Sequence, residues 1–501
     1  MCGAPRPSDE TPAPAHATPP ADTEPIPEPL PVPVRREAED LIMMHVRAQL
    51  SPCDHLLARF IHCTHESRIL PSEVKERLSE WTQEADSLLL EYVNAQANPD
   101  ALYSPKSAFC LPKSFGQYQS EALAKYSILD ITARAMLFDE LNEMLKSILP
   151  IINLRNSDPL SLGARIREMN KYVFLGLKQP MLEKVIKASI STGSGLPVHL
   201  NLDNFKSSAS RERGEKEPAT SQNCFVQAFH QLKNCDAMVY KYIFATDRVF
   251  QINFEGESGI DAGGVFREGV TRIIEDLFNE QFTLLQLCPN AQHAVHVNLD
   301  KYVPNPRHVG PLGLQMFEFI GRLMGMSLRA KLSLPFEFPS LVWKKIVGDT
   351  PNKEDLRAID AITCSLLDSI MACRNDDPDD EESYHCKFGD KLRFVFTASD
   401  GTEKELFKGG KNKLVTFESR QHFCDLVLQA RLEEFDLQIN SIARGLGDVV
   451  PIRILQLFSW QQLEILIAGI PTFDMPTSLN YLFVQFRASG MVNPLPTASP
   501  S

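Results

Sequence analysis

The chain has no Cys-x-x-Cys pair, no apolar run of about 18 residues and no basic start followed by an apolar stretch. Each absence removes a class of protein. The eleven cysteines are spread without a pairing rhythm, so reduced thiols of an intracellular protein are expected. Without the apolar run no transmembrane helix is expected, and without the basic start no secretory signal. The cytosol is the expected compartment, with the nucleus as the second. A net charge of −13 argues against nucleic acid as the main partner, and no membrane partner is expected. One group of metal-ligand types does occur, Cys53, His55, His62, Cys63 and His65. It lies among Leu56, Leu57, Phe60 and Ile61 and has no second knuckle, so surface and core residues of a helix are the reading and metal is not.

What is present is ordinary globular composition, 43% hydrophobic and 23% charged, in 501 residues. That length allows two to four domains. Residues 1–34, rich in Pro, Ala, Thr and Glu, cannot bury a core and are expected to be disordered. Residues 35–195 read as helical, with prolines at 52, 71, 105, 112, 150 and 159 as breaks. No fixed period repeats there, and the role of the region is not legible. Residues 207–222 read as a polar charged loop.

The most informative stretch is 250–278. Phe250, Ile252 and Phe254 alternate with Gln251 and Asn253, the pattern of a half-buried strand. Val265, Phe266, Val270, Ile273, Ile274, Leu277 and Phe278 then recur at helical spacing. Between them lie Gly256, Gly259, Gly263 and Gly264, with Asp261 placed to accept hydrogen bonds at the helix start. Neither GxGxxG nor GK[ST] occurs in this turn, so it reads as a strand-to-helix corner and not a nucleotide loop.

Farther on, Leu314–Ala330 reads as an amphipathic helix carrying Gly321 and Gly325, whose cost in helix propensity suggests close backbone packing. Lys353–Met371 reads as one helix, the acidic run 376–382 as a solvated loop. Residues 392–397 and 403–407 read as strands around the turn Asp400-Gly401, and Gln421–Arg444 as one long helix.

Asp261, Gly263, Gly264, Arg267 and Glu268 resemble the entrance of the HECT ubiquitin-ligase domain. Gly321-Arg322 with Gly325, Leu334-Pro335-Phe336, Trp343-Lys344-Lys345, Gly348, Gly445, Val450-Pro451 and Glu464–Gly469 follow in that family's order. The resemblance covers about 246–475, with a lead-in from about 197. It implies a mostly helical α+β fold: a HECT large lobe over 196–475 carrying a small α/β hairpin subdomain at about 334–410, after the helical N-terminal region. Residues 476–501 are left as a tail.

The resemblance also implies chemistry. Ubiquitin passes from a conjugating enzyme's cysteine to a ligase cysteine and on to a substrate lysine, without a cofactor. The partners implied are a conjugating enzyme, ubiquitin and an unidentified protein substrate. The family's cysteine sits in a Thr-Cys-Phe-Asn-like setting that does not occur in these residues. Thr363-Cys364 is followed by Ser365 and Leu366 and lies in the docking-subdomain helix, so no catalytic residue is assigned. The expectation is a HECT-type ligase in a form without its catalytic lobe; the alternative is a non-catalytic decoy that binds conjugating enzyme or substrate. Ile362, Leu366, Phe394 and Phe396 are the candidates for the docking groove, and the same four residues would equally serve as the subdomain's own core. Ser369 stands where the family's docking helix offers another leucine.

Overall fold

The computed structural model describes residues 81–96, separate positions between 123 and 158, and then 161–189, 198–241, 249–256, 264–373 and 378–469. The 1–34 tail, the Cys53–His65 group, most of the glycine-rich turn with Asp261, and everything after Gly469 lie outside the described residues.

Helix α1 (Gln83–Gln96) is followed by α2 (Leu162–Glu168) and α3 (Leu175–Ala188). The last two belong to the same hydrophobic core as the later elements, through Ile166, Tyr172, Leu175 and Leu182. A polar seam ties them there. Lys178 is buried and donates to the carbonyl of Asn170 (2.5 Å) and to Gln462 Oε1 (2.7 Å). Asn170 in turn donates to the carbonyls of Gln456 and Phe458.

The expected strand forms. β1 (His199–Leu202) pairs in parallel with β2 (Gln251–Phe254), with Leu200 opposite Ile252 and Leu202 opposite Phe254. Ile252 and Phe254 are buried as their alternation requires. Between these strands lie α4 (Asn204–Glu212) and α5 (Cys224–Leu232). The 207–222 segment is therefore not a loop throughout. Asp203 caps α4 by accepting from the Lys206 amide (2.9 Å), Ser207 donates to Asp276 (2.9 Å), and Ser210 links Glu215 to the Gln222 amide. Small hydroxyls fit between packed backbones, so polar residues that read as solvated are buried here.

Gly256 takes φ +84, as a turn after β2 needs. Helix α6 (Gly264–Leu277) buries Phe266, Val270, Ile273, Ile274 and Leu277, the stripe its spacing announced. The antiparallel pair β3 (Leu285–Leu287) and β4 (Tyr302–Pro304) follows.

Helix α7 (Pro311–Ala330) is the central element. Later come α8 (Ser340–Val347), α9 (Lys353–Arg357), α10 (Ala361–Met371), α11 (Pro378–Lys387), the antiparallel hairpin β5 (Val395–Thr397) and β6 (Glu403–Glu405), α12 (Arg420–Glu433), α13 (Asp436–Val449) and α14 (Trp460–Ala468). An added β-carbon at Gly321 would overlap the Ile442 carbonyl, one at Gly445 the Glu318 carbonyl, and one at Gly325 the Val449 side chain. Glycine on both sides thus lets α7 and α13 meet backbone to backbone.

Three local readings are corrected. The 353–371 stretch is two helices, because Asp360 caps α10 by accepting from the Thr363 amide (2.9 Å). The 421–444 stretch is also two helices, broken where Phe435 turns fully into the core. The acidic run is not all loop: α11 starts at Pro378, and a proline in the first position followed by acidic residues is a helix-starting sequence.

A second hydrophobic cluster, built on Leu367, Ile370, Tyr384, Phe394, Val415, Phe423 and Val427, joins α10, α12 and the hairpin region. The side chains of α8 belong to the main core.

Candidate functional site

Helix α10 has two apolar sides. Cys364, Leu367 and Ile370 recur at every third position and are buried. Ile362 and Leu366, one helical turn apart on another side, are 51% and 41% exposed. Ser365 and Ser369 flank them, and the Ser369 hydroxyl donates back to the Ser365 carbonyl at 2.8 Å. Lys353 and Arg357 hydrogen-bond Asp368 and hold its carboxyl below the usual range.

The four docking candidates therefore divide. Ile362 and Leu366 face outward. Phe394 is fully buried, its ring 5.1 Å from that of Phe407 and 5.8 Å from that of Phe423. Its amide donates to the Gly410 carbonyl (3.2 Å), and a side chain at Gly410 would strike the Phe394 backbone. Phe394 is a core residue of the subdomain. Phe396 is half-buried against the same core.

The base of α10 is fixed by buried polar groups. Arg431, 1% exposed, donates to Asp360 Oδ2 at 2.8 Å and pairs with Glu434. Glu434 accepts from the amide (2.8 Å) and hydroxyl (2.9 Å) of Ser399 near the hairpin. Burial pulls the Arg431 pKa down and Asp360 opposes it. Asn290 accepts from the Ala361 amide (2.7 Å) and donates to the Arg357 carbonyl (3.0 Å). Arg431 was not visible as a functional residue in the sequence. The only signal was an arginine on the inward stripe of a helix beside Val427.

The described cysteines do not form a nucleophilic centre. Burial pushes the thiols of Cys364 and Cys424 up to about 11 and that of Cys224 up to about 12. A thiol so shifted is almost wholly protonated near neutral pH and is a poor nucleophile. Cys364 sits on the buried side of α10, so the Thr363-Cys364 pair is structural. Cys386 is the exposed cysteine among the described residues. Among the described residues no three His, Cys, Asp or Glu side chains converge as metal ligands. An open cleft of about 530 Å³ between the end of α8 and helices α12 and α13 is lined by Asp349, Asp425, Glu433, Asp436 and Lys345. Four carboxylates against one ammonium make it unsuited to an anionic cofactor.

The site is thus a capped helix with two exposed aliphatic side chains, set on a small core of its own. Residues 271–482 match the HECT-domain (ubiquitin-transferase) family model. The chain is 26% identical over 381 residues to the E3 ubiquitin-protein ligase HERC2 of Mus musculus, covering 74% of this chain and 8% of that protein. It is 25% identical over 423 residues to the probable E3 ubiquitin-protein ligase HECTD4 of Homo sapiens, covering 79% of this chain and 10% of that protein. It is 29% identical over 244 residues to the E3 ubiquitin-protein ligase TOM1 of Saccharomyces cerevisiae, covering 48% of this chain and 7% of that protein. The chain thus spans a tenth or less of the length of these relatives. The ordered motifs, the mostly helical α+β lobe with its hairpin subdomain and the family match agree, and over residues 271–482 the chain is similar to the HECT domain.

Proposed function

We propose that this chain is the conjugating-enzyme-docking part of a HECT-type ubiquitin-protein ligase, with Ile362 and Leu366 as the apolar contacts on the partner. The observation that carries the reading is the outer side of α10. Two branched aliphatic side chains stand about half exposed while the same helix has a complete buried side of its own. Phe396 is the third contact, and Phe394 supports the surface from beneath. Already about half buried, the two side chains would each add about half of the 1.5–3 kcal/mol of complete burial, so they anchor the contact and the rest of the interface must supply the remainder. Ubiquitin and a protein substrate are the further partners of this reading, and the cytosol its setting. Calorimetry with a panel of ubiquitin-conjugating enzymes tests it. At least one should bind the chain, and no binding across the panel on a folded chain contradicts it.

A second reading is favoured by the protonated, buried thiols: a conjugating-enzyme binder that passes on no ubiquitin. It differs from the first on a non-reducing gel after incubation with a ubiquitin-charged conjugating enzyme. The binder forms no thiol-sensitive adduct. An adduct that disappears in Cys386→Ala would overturn it and assign the chemistry to that exposed thiol.

A further inference from the structure

The chain is acidic overall, yet the hairpin segment is basic. Between Lys391 and Leu414 lie six basic residues, Lys391, Arg393, Lys404, Lys408, Lys411 and Lys413, against three acidic ones. All six are exposed, and none has a carboxylate within ion-pair distance among the described residues. Two of the three acids are already engaged. Asp400 takes Arg307 at 2.8 Å, and Glu405 accepts the amides of Gly409 (3.0 Å) and Lys411 (3.4 Å). Six cations against three carboxylates leave the segment with a net charge of +3.

The basic residues surround exposed carbon. Phe407 is 37% and Leu414 38% exposed. Several of these residues adjoin: Lys413 Nζ lies 5.5 Å from the Phe407 ring and 5.2 Å from that of Phe394, and Arg393 bridges Leu414. The loop that carries it is held in shape. Gly409 at φ +85 and the Gly410–Asn412 turn close it, with the Gly410 amide donating to the Phe407 carbonyl (2.8 Å) and the Lys413 amide to that of Gly410 (3.0 Å).

We propose that this face, built from Arg393, Phe407, Lys408, Lys411, Lys413 and Leu414, binds an acidic peptide segment of a protein partner, with an aliphatic or aromatic residue of that segment seated beside Phe407 and Leu414. Charge complementarity selects the carboxylates, and the exposed carbon selects the apolar anchor. Other anions fit less well. A nucleic-acid strand needs an open aromatic face for base stacking, and Lys413 stands over the ring of Phe407. A long polyanion or an anionic membrane also meets the field of a chain with net charge −13, which a short peptide does not. The proposal is independent of conjugating-enzyme docking, because it uses none of Ile362, Leu366 or Phe396.

The test uses the full chain and a fluorescent peptide that alternates Glu with Phe and Leu, read by anisotropy. Oligothymidylate and phosphatidylserine vesicles serve as parallel probes. The peptide should bind, weaken as salt rises, and lose about tenfold or more in Lys408→Glu/Lys411→Glu/Lys413→Glu. It should bind undiminished to Lys184→Glu/Lys187→Glu, which reverses two exposed lysines on α3. The gentler Lys408→Gln/Lys411→Gln, with a several-fold loss, serves if the triple variant does not fold. The proposal is overturned if the folded chain ignores the peptide, if the reversal leaves binding intact, or if either parallel probe binds more tightly. It is equally overturned if the chain self-associates at low salt through this face and excludes the peptide, since a second copy is then the occupant.

Discussion

Helices α7 and α10 solve opposite problems. In α7 three sides are closed, and glycines sacrifice helix propensity so that another backbone can lie against it. In α10 one side is closed by Leu367 and Ile370 while burial of Ile362 and Leu366 is forgone. The first helix is packed against a neighbouring backbone, and the second leaves two aliphatic side chains exposed, the feature on which the docking proposal rests. The difference teaches where to look for function in a mostly helical lobe: not at the most apolar helix, but at the one whose apolar residues exceed what its own core uses.

The contrast can be broken at its joint first. Arg431→Met should cost about 3–5 kcal/mol, because Asp360 and Glu434 would stay buried without their cation. Thermal unfolding reads it, and a loss under about 1 kcal/mol would show that the joint does not hold α10 to the body. Within the body, Gly445→Ala drives a methyl against the Glu318 carbonyl and should destabilise by about 1–3 kcal/mol or more. A neutral result there would mean that α7 and α13 can part without cost.

A pH comparison sharpens the picture of the body. Burial lowers the Lys178 pKa well below 10.5. The unfolded chain therefore binds a proton that the folded chain releases, so stability rises with pH between the folded value and 10.5. Lys178→Met has no such proton. The melting temperature of the natural chain should gain on that variant as pH rises toward 10.5, and parallel melting curves would contradict a lowered Lys178 pKa. The smallest effect on stability belongs to the outer side of α10. Ile362→Ser with Leu366→Ser should change unfolding by no more than about 0.5 kcal/mol, since neither residue fills a core.

Local pattern carried much of the fold. The alternation at 250–254, the stripe of α6, the Gly321 and Gly325 pair and the Asp400-Gly401 turn all read directly into structure, because strand, helix, close approach and turn each impose a short-range rule on the sequence. The helix breaks at Asp360 and Phe435 did not: the apolar periodicity of 353–371 ran across the local Asp360 cap, and the break at Phe435 depends on the distant core that receives its ring. The site was half legible for the same reason. Apolar residues surround α10, and periodicity says which of them share a side but not which side meets the protein. Phe394 and Phe396 share a parity, yet Phe394 precedes the regular strand and drops into the core over Gly410. The lysine-flanked Phe407 and Leu414 passed unnoticed because no spacing rule marks a surface.

Calorimetric titration of one ubiquitin-conjugating enzyme into the natural chain, Ile362→Asp/Leu366→Asp and Leu437→Asp decides the central claim. Leu437, 59% exposed on α13, is the matched control away from α10. The natural chain and Leu437→Asp should bind alike, and the α10 variant should lose at least about tenfold with an unchanged melting temperature. Equal binding by all three, or a loss at Leu437 instead, would contradict the assignment of docking to α10.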